Sequence, residues 1–179
     1  MTATGSQSRW YPRLKAAVFA LLACNTAYYL FGSTWTKGLD ALAWFTLLAL
    51  FALETGFDGA HGAMAAIRGV RLAAAAAVGA AAIGYVSQGE WLDAVNTALW
   101  IAVVVLLETE VRNPGAIARR PAWFRGTASA LYAGLGTLVL VWAWRTQWLD
   151  AYDAALWLAA FAMIEMDVLQ ASRGEVAVN

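Results

Sequence analysis

The chain is poor in the residues that most chemistry needs. One cysteine, Cys24, among 179 residues excludes an internal disulfide and any metal site built from several thiolates. One histidine, His61, excludes a bis-histidine haem within a single chain. Charged residues make up 13% of the sequence, against about 25% in soluble domains. The formal net charge is zero, so no global field draws nucleic acid and none is expected as a partner. Three prolines are present, at 12, 114 and 121, and all three fall outside the long apolar runs. There is no Walker loop, no Rossmann glycine pattern, no nucleophile elbow and no HExxH. A Ser-His-Asp site would have to use His61, which sits in a glycine-broken loop without an evident serine partner. Neither enzymatic activity nor a cofactor is expected.

What is present is apolar. Hydrophobic residues reach 61%, and ten of the residues are Trp. Six apolar runs, at 14–31, 39–57, 69–86, 91–111, 123–144 and 148–169, approach the roughly 20 residues that cross a bilayer. The expected fold is all-α: a polytopic membrane protein with six transmembrane helices in a single domain, 1–179. A polar segment, 1–12, precedes it and a polar tail, 170–179, follows. The connection 112–121, RNPGAIARRP, reads as non-helical at both ends because Pro114-Gly115 and Pro121 punctuate it. Leu21-Leu22-Ala23-Cys24 looks like a lipoprotein cleavage box. The apolar run continues past Cys24 through Phe31, which instead predicts a retained first helix.

An internal repeat organises the rest. The stretch 91–111, WLDAVNTALWIAVVVLLETEV, returns at 148–168 as WLDAYDAALWLAAFAMIEMDV with an ungapped offset of 57. Trp91/Trp148, Asp93/Asp150, Trp100/Trp157 and Glu108/Glu165 coincide in that register. A looser copy runs from Leu39, Asp40 and Ala41 to Glu54, one residue shorter between its Asp and its Glu. Three hairpins follow, 14–57, 69–111 and 123–169. Ten basic residues (Arg9, Arg13, Lys15, Arg68, Arg71, Arg112, Arg119, Arg120, Arg125 and Arg173) fall at one end of the spans, and only Lys37 and Arg145 at the other. That bias predicts a bacterial inner (plasma) membrane protein with both termini cytoplasmic. Trp35, Trp91, Trp144 and Trp148 then mark the outer interface, and Trp10 and Trp123 the inner one.

Few residues are candidates for chemistry. Asp40, Asp93 and Asp150 fall at the N-termini of the second, fourth and sixth spans, where capping explains them. The sharper reading is a ring of outer carboxylates that attracts cations. Glu54, Glu108 and Glu165 fall at helix C-termini, where the dipole disfavours an anion. Pairing with Arg68, Arg71, Arg112, Arg119, Arg120 or Arg125 would explain them; a carboxylate cluster on an ion path is the alternative. Glu54, Asp58 and His61 have the i, i+4, i+7 spacing of a divalent metal site, although Gly56, Gly59 and Gly62 break the helix such a site needs. Asn25-Thr26 and Asn96-Thr97 suit interhelical hydrogen bonds. Gly126, Ala130 and Gly134 form a small-residue ridge for close packing within the chain, with other membrane proteins or with a second copy.

Asn25 in the first span and Phe51-Ala52-Leu53-Glu54 near the end of the second resemble the first two helices of voltage-sensor domains in cation channels. The resemblance covers about a quarter of the chain and implies an ion-path role. No span carries arginines at every third position, so it does not imply voltage sensing and transfers no functional residue. Two functions are therefore in view. One is a structural or partner-binding accessory subunit in lipid. The other is a small cation channel or transporter built from three pseudo-symmetric hairpins.

Overall fold

The computed structural model describes the backbone over residues 10–56 and 64–176. Its described residues are all-helical, with six long helices and one short one. These are α1 (Trp10–Gly32), α2 (Trp35–Gly56), α3 (Met64–Gln88), α4 (Trp91–Arg112), α5 (Pro114–Arg119), α6 (Pro121–Trp144) and α7 (Trp148–Val176). Five of them (α1, α2, α3, α4 and α6) are long and apolar enough to cross a membrane. Helix α7 is longer than any of these but carries Asp150, Asp153 and Glu165.

Helices α1, α2, α3 and α6 start earlier than the apolar runs do, whereas α4 and α7 start with them. Helix α2 begins at Trp35, four residues before Leu39. The Thr34 hydroxyl accepts a hydrogen bond from the Lys37 N–H at 3.4 Å, as an N-cap residue does. The connection 112–121 is not the expected loop. Pro114 and Pro121 both sit in the opening turn of a helix, α5 and α6. Proline lacks an N–H that the first turn does not use, and its fixed φ suits that turn, so it starts a helix there rather than preventing one.

Two of the turns share one device. Helix α3 ends with Glu90 N–H on the Tyr85 carbonyl (2.9 Å) and Gly89 N–H on that of Val86 (3.2 Å), with Gly89 at φ 77°. Helix α6 ends with Gln147 N–H on Trp142 (2.9 Å) and Thr146 N–H on Ala143 (3.1 Å), with Thr146 at φ 60°. Both are Schellman closures, and both need a left-handed residue. Glycine fills that place without strain; the β-branched Thr146 does not. In the remaining hairpin, α1–α2, a Cβ on Gly38 would lie 3.1 Å from the Tyr29 carbonyl oxygen, so glycine is what lets α2 approach α1.

Each long helix packs against its chain neighbours, and α7 packs back on α1, closing a ring of six helices. Leu22, Val103 and Leu135 are buried in its middle together with Trp100 and Trp157. The outer faces are apolar: Phe31 and Trp144 are 90% exposed, and Leu72, Ile83 and Leu140 are largely exposed. Apolar residues spread over the outside of a helical ring, with a packed interior, mark a multi-pass membrane protein. The exposed Trp35, Trp91, Trp144 and Trp148 cluster at the hairpin-turn end, and Trp10 and Trp123 at the opposite end.

Candidate functional site

Helices α2, α4 and α7 all begin with Trp, and their third, sixth and tenth residues face one another inside the ring. The third residues are Lys37, Asp93 and Asp150. Lys37 Nζ lies 2.8 Å from Asp150 Oδ1 and 3.4 Å from Asp93 Oδ1. These side chains are 17%, 16% and 13% exposed, for Lys37, Asp150 and Asp93, so the cluster meets solvent only at its edge. The Tyr29 hydroxyl donates to Asp150 Oδ1 at 2.9 Å.

The sixth residues, Asp40, Asn96 and Asp153, lie one turn deeper. The Tyr85 hydroxyl donates to Asp40 Oδ2 at 3.1 Å, and Asn25 Nδ2 donates to Asp153 Oδ1 at 3.0 Å. Trp44 and Trp157 line the same space as Asp40 and Asp153. Asp40 Oδ1 and Asn96 Oδ1 are wholly buried and accept no hydrogen bond. The tenth residues, Trp44, Trp100 and Trp157, form the floor. Trp157 makes edge contacts with both of the others at 6.4 and 6.5 Å, and Phe161 packs on Trp100 with its ring tilted by 40°, the centroids 4.5 Å apart. Between these layers lies a cavity of about 50 Å³, which Tyr29, Tyr85 and Trp142 also line.

The electrostatics are unbalanced. Four carboxylates (Asp40, Asp93, Asp150 and Asp153) and one cation, Lys37, line the cavity. The first-turn positions of Asp93 and Asp150 offset part of this, because a helix N-terminus favours an anion. Asp40 has no such help, since it lies in the second turn of α2. It is not a capping residue, as its place before the apolar run had implied. Buried carboxylates beyond the number of cations, with two acceptor oxygens unused, are costly unless protons or a bound cation complete them.

The other candidate residues lie elsewhere. Glu108 pairs with Arg112 one turn on in the same helix, and that pair is exposed. Glu165 accepts a hydrogen bond from the Tyr132 hydroxyl rather than from an arginine. The Glu54 side chain, Asp58 and His61 lie outside the described residues. No group of three or more His, Cys, Asp and Glu among the described residues is arranged to hold a metal ion. Arg68, Arg71, Arg119, Arg120 and Arg125 are exposed at the end opposite the cavity. Cys24 is exposed on α1. The small-residue ridge divides: a Cβ on Gly134 would meet Leu99 at 3.3 Å within the chain, whereas Gly126 has nothing within 4 Å.

Lys37, Asp153, Tyr29, Tyr85 and the tryptophan floor were not among the sequence candidates. Their signal is spacing: Tyr29, Tyr85 and Trp142 stand at intervals of 56 and 57 residues, as do Lys37, Asp93 and Asp150, and Trp44, Trp100 and Trp157. No known protein family, curated protein or solved structure matches the chain.

Proposed function

We propose that this chain handles a small cation, as a carrier made of three pseudo-symmetric hairpins with α7 as the sixth span. The observation that carries this reading is the cavity, with four carboxylates around a single lysine and two buried acceptor oxygens unfilled. A purely structural bundle gains nothing from it, since well-packed apolar residues in place of buried ions are often neutral or stabilising. Ionisable groups held inside a membrane bundle mark ion and proton paths. The tryptophan floor closes the cavity on one side, which fits a carrier that alternates between two closures better than an open pore. In a bacterial inner membrane with cytoplasmic termini, the cavity lies toward the outside. The test is uptake into proteoliposomes of a panel of labelled monovalent cations, protonated amines included. The reading expects uptake of at least one above protein-free vesicles; vesicles that match the protein-free control for every cation contradict it.

The partner-binding reading has one observation in its favour. Gly126 and Ala130 line an open groove with Leu99 and Trp123 on the α4–α6 face, where a transmembrane helix of a partner or of a second copy would fit. Gly126→Leu should abolish a stable complex seen on gentle detergent extraction; an unchanged complex removes this reading.

A further inference from the structure

Resting on the cation reading, we infer that the ligand is a small protonated amine and that Lys37 is its tethered stand-in. The Lys37 ammonium sits between Asp150 and Asp93, at 2.8 and 3.4 Å, so the upper layer already accepts an R–NH₃⁺ group. One turn below, Asp40 Oδ1 and Asn96 Oδ1 are two buried acceptors in the cavity lining that no donor reaches. An ammonium carries three N–H donors and no acceptor, which matches that need. The cavity of about 50 Å³ exceeds the roughly 10–15 Å³ that one water requires, so it admits a group of a few heavy atoms.

The walls decide between an amine and a metal ion. Calcium takes six to eight oxygens and magnesium a near-ideal octahedron. Here Trp44, Trp100, Trp142, Trp157, Tyr29 and Tyr85 occupy much of the lining, and among the described residues no three carboxylates are arranged to hold a metal ion. Aromatic walls with a few carboxylates suit a cation that carries carbon, because the ring faces attract it while its apolar part displaces water. The Lys37 side chain competes with such a ligand for Asp93 and Asp150. A free amine binds when Lys37 swings to the solvent edge that its 17% exposure marks. The tether thus sets the affinity: the apparent Kd is the intrinsic one divided by the fraction of molecules with the site vacated.

The experiment is a titration of intrinsic tryptophan fluorescence on full-length protein in nanodiscs, with methylammonium chloride as ligand. Sodium and calcium chlorides are run as parallel arms. Wild type, Lys37→Met and Asp40→Asn are compared, with circular dichroism as the folding control. The expected result is saturable methylammonium binding that tightens by about tenfold or more in Lys37→Met and weakens by a similar factor in Asp40→Asn. If sodium or calcium saturates the signal and methylammonium does not, the amine inference is overturned while the cation reading stands. If no cation binds to folded wild type or variants, both are overturned. Equal methylammonium affinity in wild type and Lys37→Met overturns the tether. Should Lys37→Met not fold, Asp40→Asn decides, and undiminished methylammonium binding there overturns the site.

Discussion

The two ends of the bundle both carry acidic residues at recurring positions, and they use them in opposite ways. At the end away from the hairpin turns, Glu108 sits near the C-terminus of α4, where the helix dipole opposes it. Glu165 is not at the helix end its sequence position implied, because α7 continues to Val176. Each finds a local partner. Arg112 lies one turn along the same helix from Glu108, and Tyr132 lies across from Glu165 on the neighbouring α6. At the hairpin-turn end, Asp93 and Asp150 sit where the dipole favours them and would need no partner. They nonetheless turn inward and converge with Lys37, Asp40 and Asp153. An unfavourable helix position is therefore a poor guide to function in this chain. Convergence of side chains from different helices on one enclosed space is the better guide.

Lys37 is where a single substitution should cost most. Lys37→Met leaves the cavity's carboxylates without a built-in cation, and stability in detergent should fall by about 3 kcal/mol. Proton uptake by the carboxylates and the partial exposure of the site hold the loss toward the lower end of the usual range. Asp150→Asn added to Lys37→Met should recover part of that loss, because removing one partner alone is worse than removing both. Chemical denaturation of the two variants checks this; a double variant weaker than the single one contradicts the pairing.

A smaller effect tests the packing that holds the turn end together. A Cβ on Gly84 would lie 2.9 Å from Thr36 Cγ2, at the α2–α3 contact where Gln88 Nε2 donates to Thr36 Oγ1 at 2.6 Å. Gly84→Val should cost about 1–3 kcal/mol by overpacking, measured in the same denaturation assay. A neutral result would mean that α2 and α3 slide apart freely.

The glutamate end should respond less. Tyr132→Phe removes the donor to a half-buried Glu165 and should cost about 1 kcal/mol. Glu108→Gln breaks an exposed i, i+4 pair and should change stability by less than about 0.5 kcal/mol. A thermal shift for Glu108→Gln larger than that for Tyr132→Phe would reverse the assignment. The smallest effect has the opposite sign. Thr146→Gly relieves a β-branched residue at φ 60° and should stabilise by up to about 1 kcal/mol. A loss of stability there would show that the Thr146 side chain contributes more than its strain costs.

The long helices were legible in the apolar runs, because a bilayer imposes a length and an apolar surface that composition reveals directly. Their starts were less so. Trp35 and Thr36 are helical although Lys37 and Gly38 follow them, and this shift hid the site. With α2 taken to begin at Leu39, Asp40 resembled a cap and matched the register of Asp93 and Asp150. With α2 beginning at Trp35, the residue in register is Lys37, and Asp40 falls beside Asn96 and Asp153. The tryptophans at the tenth positions kept that register in the sequence all along, whereas the Leu-Asp-Ala resemblance pulled the first copy three residues out of step. The 56-residue interval between Tyr29 and Tyr85 did not reveal what their hydroxyls bind. Only the packing of α1 against α7 and of α3 against α2 brings their hydroxyls to Asp150 and Asp40.

The central claim is that the aspartate end works on a cation and the glutamate end holds the fold. Proteoliposome uptake of labelled methylammonium tests it most directly, with wild type compared to Asp40→Asn/Asp153→Asn and to Glu108→Gln/Glu165→Gln, each reconstituted to equal density. The aspartate pair should lose at least about nine-tenths of the uptake, while the glutamate pair should stay within about twofold of wild type. Uptake that survives the aspartate changes and disappears with the glutamate changes would contradict the claim.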